Sequence, residues 1–353
     1  MNKRLFILIF FVVLLIGCSN NTDPSVESQN DLPINQEIST VATELQIPWA
    51  INKLGDVFYI SEREGTIVKI EKGAVTRQKV ILTKPLSNTA EAGLLGFVLA
   101  PDFETSNVAY AYYTYDLNDK PTNRIVTFQY DGEAWMEQDI LIDNIPSGAV
   151  HHGGRLKFGP DGYLYATTGD AANRDLAQDE NSLAGKILRL NVDGTIPVDN
   201  PDPNSYVYSS GHRNPQGLAW AQDGTLYATE HGNSSNDEVN IIEAGANYGW
   251  PIIQGNEEKS GYISPLFTSG KDSTWAPSGV VYHEERLYVS ALRGTALLEF
   301  DLKANKMVKL VSDVGRIRDV WIDNDTLYFV TNNTDGRGTP LDDDDRLYKL
   351  NIK

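Results

Sequence analysis

Apolar and polar residues alternate along most of the chain with the period of two that sends successive side chains to opposite faces of a strand. One form of the pattern returns six times: a turn carrying Asp or Gly, alternation around a Tyr, then a small or hydroxyl residue. It reads GDVFYISE (55–62), NVAYAYYT (107–114), DGYLYATTGD (161–170), DGTLYATE (223–230), ERLYVSA (285–291) and DTLYFVTN (325–332). The central tyrosines recur at intervals of 40 to 62 residues. Between the copies lie further strand-like runs, TIVKIEKG (66–73), IVTFQYDG (125–132), KILRLNVDG (186–194) and ALLEFDLK (296–303), so each unit offers about four short strands. No long amphipathic helix is predicted. Six such units predict an all-β, six-bladed β-propeller with four-stranded blades, in preference to a generic array of β-sandwiches. RLYKLNI (346–352) and ISTVATEL (38–45) are placed to pair and close the ring.

The first residues break this pattern. Lys3 and Arg4 precede an apolar run, Leu5 to Ile16. Twelve residues are too few to span a bilayer, which takes about 20, and suit the core of a signal peptide. Leu15-Ile16-Gly17-Cys18 resembles a bacterial lipobox, in which cleavage leaves Cys18 as a lipidated N-terminus. The chain is therefore divided into a lipoprotein signal peptide (1–17), a polar flexible tether (18–37) and the propeller (38–353). The expected location is extracytoplasmic, held to the cell membrane only through the lipid.

Composition narrows the function. The chain has 353 residues, with 30 Lys+Arg against 48 Asp+Glu, a net charge of −18. Duplex binding depends on clustered positive charge, so no nucleic-acid partner is expected. A single Cys excludes an intrachain disulfide and a Cys-rich zinc site. HExxH, GxSxG, P-loop and GxGxxG motifs are absent.

Four of the five histidines, His151, His152, His212 and His231, fall in Gly-rich segments next to the repeated strands. Any one of them is explained by a turn hydrogen bond; four at equivalent ends of adjacent units point to a site. The segment Gly232 to Asn240, with Asp237 and Glu238, offers oxygen ligands of the kind that suit Ca²⁺. Basic residues are scarce, so Arg213, Arg293 and the pair Arg316 and Arg318 stand out. Two arginines at i and i+2 share a face of extended chain and can clamp carboxylates of an anionic ligand.

Taken together, PWAI (48–51), EAGLLGFVLAPDF (91–103), HHGGRLKFGPDGYLYATTGD (151–170), GHRNPQGLAW (211–220), EHGNSSNDEVN (230–240), NYGWP (247–251), APSG (276–279), ALRG (291–294) and RIRDV (316–320) resemble the soluble pyrroloquinoline quinone (PQQ)-dependent sugar dehydrogenases, above all the aldose sugar dehydrogenase branch. The resemblance implies a six-bladed propeller, PQQ and Ca²⁺ as cofactors, an aldose substrate and an external electron acceptor. It implies His151 as the base, Asp170 as its orienting carboxylate, and Arg213 and Asn214 as contacts to the quinone. Arg293, Arg316 and Arg318 fall at positions holding PQQ carboxylates, and Gly232 and Asn233 at those whose carbonyls bind Ca²⁺. Glu238 and Tyr248 match a second, structural Ca²⁺ site. Glu91 stands near the sugar, where many members have Gln; Asn233 stands where some have Pro; Val150 stands where one branch has Asp.

These residue types suit the chemistry. Oxidation at an anomeric carbon needs a base for the hydroxyl proton, a hydride acceptor and stabilisation of the charge that develops on it. A Ca²⁺-dependent lactonase-type hydrolase and a non-catalytic glycan-binding propeller are the competing expectations. The lipobox generates the first prediction: labelled fatty acid is incorporated by the wild type and not by Cys18→Ala, and equal labelling of both would refute the anchor.

Overall fold

The computed structural model describes residues 37–353; the expected signal peptide and Cys18 lie outside the described residues. The first described strand is β1 (Ser39–Ala42). Then come β2 (Pro48–Leu54), β3 (Val57–Glu62), β4 (Thr66–Glu71) and β5 (Ala74–Ile81). β6 (Leu94–Leu99), β7 (Val108–Leu117), β8 (Lys120–Tyr130) and β9 (Ala134–Pro146) form the next run. β10 (Leu156–Phe158), β11 (Leu164–Thr168), β12 (Lys186–Leu190) and β13 (Val207–Ser210) follow. β14 (Pro215–Trp220), β15 (Leu226–Glu230), β16 (Glu238–Ile242) and β17 (Phe267–Thr268) precede β18 (Pro277–His283), β19 (Arg286–Ala291), β20 (Ala296–Asp301) and β21 (Lys306–Val311). β22 (Ile317–Asp323), β23 (Thr326–Thr331) and β24 (Leu347–Asn351) complete the chain. Among the described residues the only α-helix is the single turn Phe103–Ser106.

The fold is all-β, with four four-stranded sheets and one of eight strands. The eight-stranded sheet is two antiparallel runs, β2–β5 and β6–β9, joined at their outer edges where β5 pairs parallel with β9 through Lys79 to Ile81. Trp135 anchors that seam. Its indole donates to Gln78 Oε1 at 2.9 Å, and its ring lies against Phe97, Phe103 and Tyr130.

Each Tyr-centred repeat forms the second strand of its run: β3, β7, β11, β15, β19 and β23. The turns before them are made by Asp and Gly. Gly162 and Gly224 take φ of 82° and 91°, and the preceding Asp161 and Asp223 accept the backbone N–H two residues on. Burial is greatest inside and falls outward. β11, β12 and β15 are buried along their whole length, whereas β5 and β21 are exposed or half-buried except at one residue each.

First strands pack against first strands around an axis: β2 on β6, β6 on β10, β14 on β18, β18 on β22 and β22 on β2, with β11 meeting β14. The ring is zipped by the two ends of the described chain, for β1 pairs antiparallel with β24. The central strands approach so closely that side chains are excluded at some positions. A Cβ on Gly279 would lie 1.8 Å from Asp319 Oδ1 on the next first strand. In an antiparallel run, the start of the first strand and the end of the second lie at the same end. Every segment that precedes a first strand or follows a second one therefore converges on one mouth of the ring.

Candidate active site

The converging segments line a cavity of about 410 Å³. His151, ahead of β10, sits in the left-handed region with φ 67°, a conformation that costs a non-Gly residue about 1–3 kcal/mol and persists only where surroundings impose it. Two contacts impose it here. Glu91 Oε2 accepts the His151 N–H at 3.2 Å, and the chain of Gly169 passes so near that a Cβ there would lie 1.9 Å from the His151 carbonyl oxygen. Glycine at 169 is thus a requirement of the close approach.

The imidazole is held by both nitrogens. Nδ1 lies 2.7 Å from Asp170 Oδ1, and Nε2 lies 2.9 Å from Arg213 Nη2. A guanidinium can only donate, so Nε2 carries the lone pair and the Nδ1–H donates to Asp170. Asp170 is buried and immobilised: Ala172 N–H donates to Oδ1 and the Trp250 indole to Oδ2, each at 2.9 Å. An imidazole with a lone pair facing a cavity and a buried carboxylate behind it is the geometry of a general base.

His152 points elsewhere. It is buried between Ser147 Oγ at 2.6 Å and the Ala90 carbonyl at 2.9 Å, and burial lowers its pKa. His212 is also buried, bridging Ser209 and Glu230 and stacked on Tyr248. His231 reaches the cavity wall; burial depresses its pKa to about 4, and its Nε2 has no partner.

Six arginines line the cavity: Arg63, Arg213, Arg293, Arg316, Arg318 and Arg337. Two have carboxylate partners, Arg316 with Asp335 at 2.9 Å and Arg337 with Glu91 at 2.6 Å. Among the described residues the other four have none. Arg318 is the extreme case. It is buried, donates to Gln216 Oε1 at 2.8 Å, and leaves its Nε unsatisfied. Burial, and after it the neighbouring Arg316, pull its pKa down to about 9. Arg213 packs 5.4 Å from the Trp250 ring and also has an unsatisfied Nε. Arg293 stands exposed at the rim. Asn214 has a structural task, its Oδ1 accepting the Gly153 N–H at 3.0 Å.

Arg63 and Arg337 were not singled out from the sequence. Arg63 directly follows the first Tyr-centred strand, as His231 follows the fourth; that register is the signal for it. Glu91 has both oxygens engaged, by Arg337 and by the His151 N–H. Although burial alone would raise its pKa, Arg337 holds it at about 2.

The loop after β15 is latched by Asp237. Its Oδ1 accepts the Gly232 N–H at 2.8 Å; its Oδ2 accepts Thr274 Oγ1 and the N–H groups of Trp275 and Ala276. Gly232 and Asn233 line the cavity, and their carbonyls accept no hydrogen bond among the described residues. Glu238 and Tyr248 lie together with Glu230 on a small adjoining cavity. The Tyr248 hydroxyl is committed to the Ile241 carbonyl at 2.6 Å, while its own carbonyl is free of backbone partners. Burial, then the neighbouring Glu230, raise the Glu238 pKa to about 8. Glu238 is half-buried, its Oε1 accepting the Gly255 N–H at 2.9 Å and its Oε2 the Asn240 amide at 3.2 Å; its carboxylate beside Glu230 and the Gly232 and Tyr248 carbonyls is a set of oxygen donors of the kind that fits Ca²⁺. Four arginines without carboxylates fit a polyanion such as the tricarboxylate PQQ.

Fold and site together define a ring-shaped all-β protein with an imidazole–carboxylate pair beside an arginine-lined axial cavity. Residues 45–342 match the glucose/sorbosone dehydrogenase family model, and the chain belongs to that family. It is 35% identical over 250 residues to quinoprotein glucose dehydrogenase B of Acinetobacter calcoaceticus, covering 61% of this chain and 52% of that relative, about half its length. Over 350 residues it is 29% identical to aldose sugar dehydrogenase YliI of Escherichia coli, covering 86% and 92% of the two chains. The solved PQQ-bound aldose sugar dehydrogenase of Streptomyces coelicolor matches with a TM-score of 0.83 at 38% identity, over 90% of this chain and 99% of that one.

The two adjacent histidines make opposite predictions. His151→Ala should lower turnover by about 10²–10⁴ without lowering the melting temperature. His152→Ala should melt earlier, because it strands Ser147 and the Ala90 carbonyl, and should retain turnover when folded. Steady-state rates and thermal melts of both variants check this; a His151→Ala enzyme with wild-type turnover would contradict it.

Proposed function

We propose that this protein is a PQQ- and Ca²⁺-dependent dehydrogenase that oxidises aldose sugars at the anomeric carbon and passes the electrons to an external acceptor. We read its sheets as six four-stranded blades, and its N-terminus as lipid-anchored at Cys18 outside the cytoplasm. The observation that carries the functional reading is the juxtaposition of four carboxylate-free arginines with an imidazole whose lone pair faces the same cavity. Family membership and the PQQ-bound structural relative support it.

The chain's own residues have separable tasks. Arg213, Arg293 and Arg318, with Arg316, would hold the carboxylates and quinone oxygens of PQQ, and Gly232 and Asn233 would offer carbonyls to Ca²⁺. When bound, PQQ supplies the hydride acceptor and Ca²⁺ polarises it. His151 Nε2 takes the proton of the anomeric hydroxyl. The resulting imidazolium is stabilised by Asp170, which donors from Trp250 and Ala172 keep in place. Arg213 occupies Nε2 in this structure, so it gives up that contact when substrate enters. Glu91 fixes the backbone of the base and carries a charge that sugar hydroxyls can address.

The hydrolase alternative needs free carboxylates around a metal in the axial cavity. Both carboxylates on its wall are engaged, Glu91 by Arg337 and Asp237 by its loop. Purified protein stripped of cofactor and metal should reduce an artificial dye with an aldose only after PQQ and Ca²⁺ are both restored. Full activity after exhaustive chelation and cofactor removal would defeat the reading.

A further inference from the structure

Beyond the arginine-lined cavity, the axis of the ring holds a second charged cluster that the proposed reaction does not use. All six first strands contribute to a smaller cavity of about 40 Å³, through Ile51, Phe97, Lys157, Leu218, Val280 and Val320. Trp49 belongs to the wall of the larger cavity and stacks on Arg155, which lines the smaller one, with the guanidinium carbon 4.3 Å from the ring centroid.

Charge in the smaller cavity does not balance. Arg155 is 5% exposed. Its Nε donates to the Gln216 carbonyl at 2.8 Å and its Nη1 pairs with Asp319 Oδ2 at 3.1 Å, but its Nη2 is buried with no acceptor. The Lys157 ammonium has no hydrogen bond or ion pair among the described residues. Burial, against the pull of Asp319, lowers its pKa to about 8. Asp319 is the single carboxylate lining the cavity, and its Oδ2 also accepts the Ile51 N–H at 2.8 Å. Two cations against one carboxylate leave one positive charge in excess. Arginine cannot shed its proton, and a buried donor without an acceptor is costly. A water would satisfy Arg155 Nη2 but would leave the charge unbalanced.

We propose that this axial cavity is a binding site for one small monovalent anion of the size of chloride or bromide, held between Arg155 and Lys157. The volume decides the class. A single water needs roughly 10–15 Å³ of such space, so about 40 Å³ admits a monatomic anion and excludes an organic one as bulky as isethionate. The site is separate from the cavity assigned to PQQ, and the proposal does not depend on that assignment. The anion binds the folded ring alone and so stabilises it.

The test is thermal unfolding of the purified protein at constant ionic strength, with isethionate replaced stepwise by chloride. The melting temperature should rise saturably by about 2 °C or more, and Lys157→Met should abolish the rise. Crystals soaked in bromide should show an anomalous peak between Arg155 and Lys157. A melting temperature indifferent to chloride, or a chloride effect equally large in Lys157→Met, would overturn the proposal. If that variant does not fold, the wild-type titration and the bromide soak decide: a water in place of bromide overturns it.

Discussion

The constraint on which this molecule turns is positive charge gathered around one axial cavity, most of it without a carboxylate in ion-pair contact. Four arginines face one axial cavity with no carboxylate partner among the described residues, in a chain whose acidic residues outnumber its basic ones by 18. Acidic side chains are plentiful, so the absence of partners there is a property of the site. Removing a cation from water costs of order several kcal/mol unless it is paired. The rest of the fold bears that cost. β1 zipped to β24 and the close-packed first strands make a ring stiff enough to hold like charges together. The same arrangement makes the cavity a strong attractor for a polyanion.

The ring also explains how the His151 imidazole is aimed. His151 and Asp170 come from opposite ends of one hairpin, before β10 and after β11, and the antiparallel register brings these ends together. Arg213 enters from the next run, before β14. An imidazole, a carboxylate and a guanidinium thus meet because the sheet geometry repeats. Local strain at His151 is maintained by Glu91, and Glu91 in turn is tied to Arg337, 246 residues away in sequence. Position at the centre of the site is therefore set by contacts between segments far apart in sequence that the closed ring brings together.

Much of this was legible in the sequence. The six Tyr-centred repeats fall on β3, β7, β11, β15, β19 and β23, because alternation flanked by Asp-Gly turns is a local signal that tertiary packing reinforces. The pairing of β1 with β24 followed from unmatched strands at the two ends. The parallel seam between β5 and β9 was not legible. It depends on Trp135 meeting Gln78 across 57 residues, and neither has a local pattern announcing it. His151 and His152 are indistinguishable by composition; only the left-handed turn separates their directions. Asp237 reads as a candidate ligand in sequence but acts as the latch of its loop, since a carboxylate near four donors satisfies them before it serves a metal. Arg63 and Arg337 escaped because they lie outside the motifs, although Arg63 obeys the same strand-end register as His231.

The central claim is that the unpaired arginines exist to hold an anionic cofactor. It is tested most directly by calorimetric titration of PQQ, with Ca²⁺ present, into the metal- and cofactor-free protein and into its Arg318→Met variant. Loss of one charge-assisted hydrogen bond is worth about 1.5–3 kcal/mol, so the account predicts one equivalent of PQQ bound by the wild type and affinity at least about tenfold weaker in the variant. Equal affinity in the two proteins, or no binding to the wild type, would contradict it.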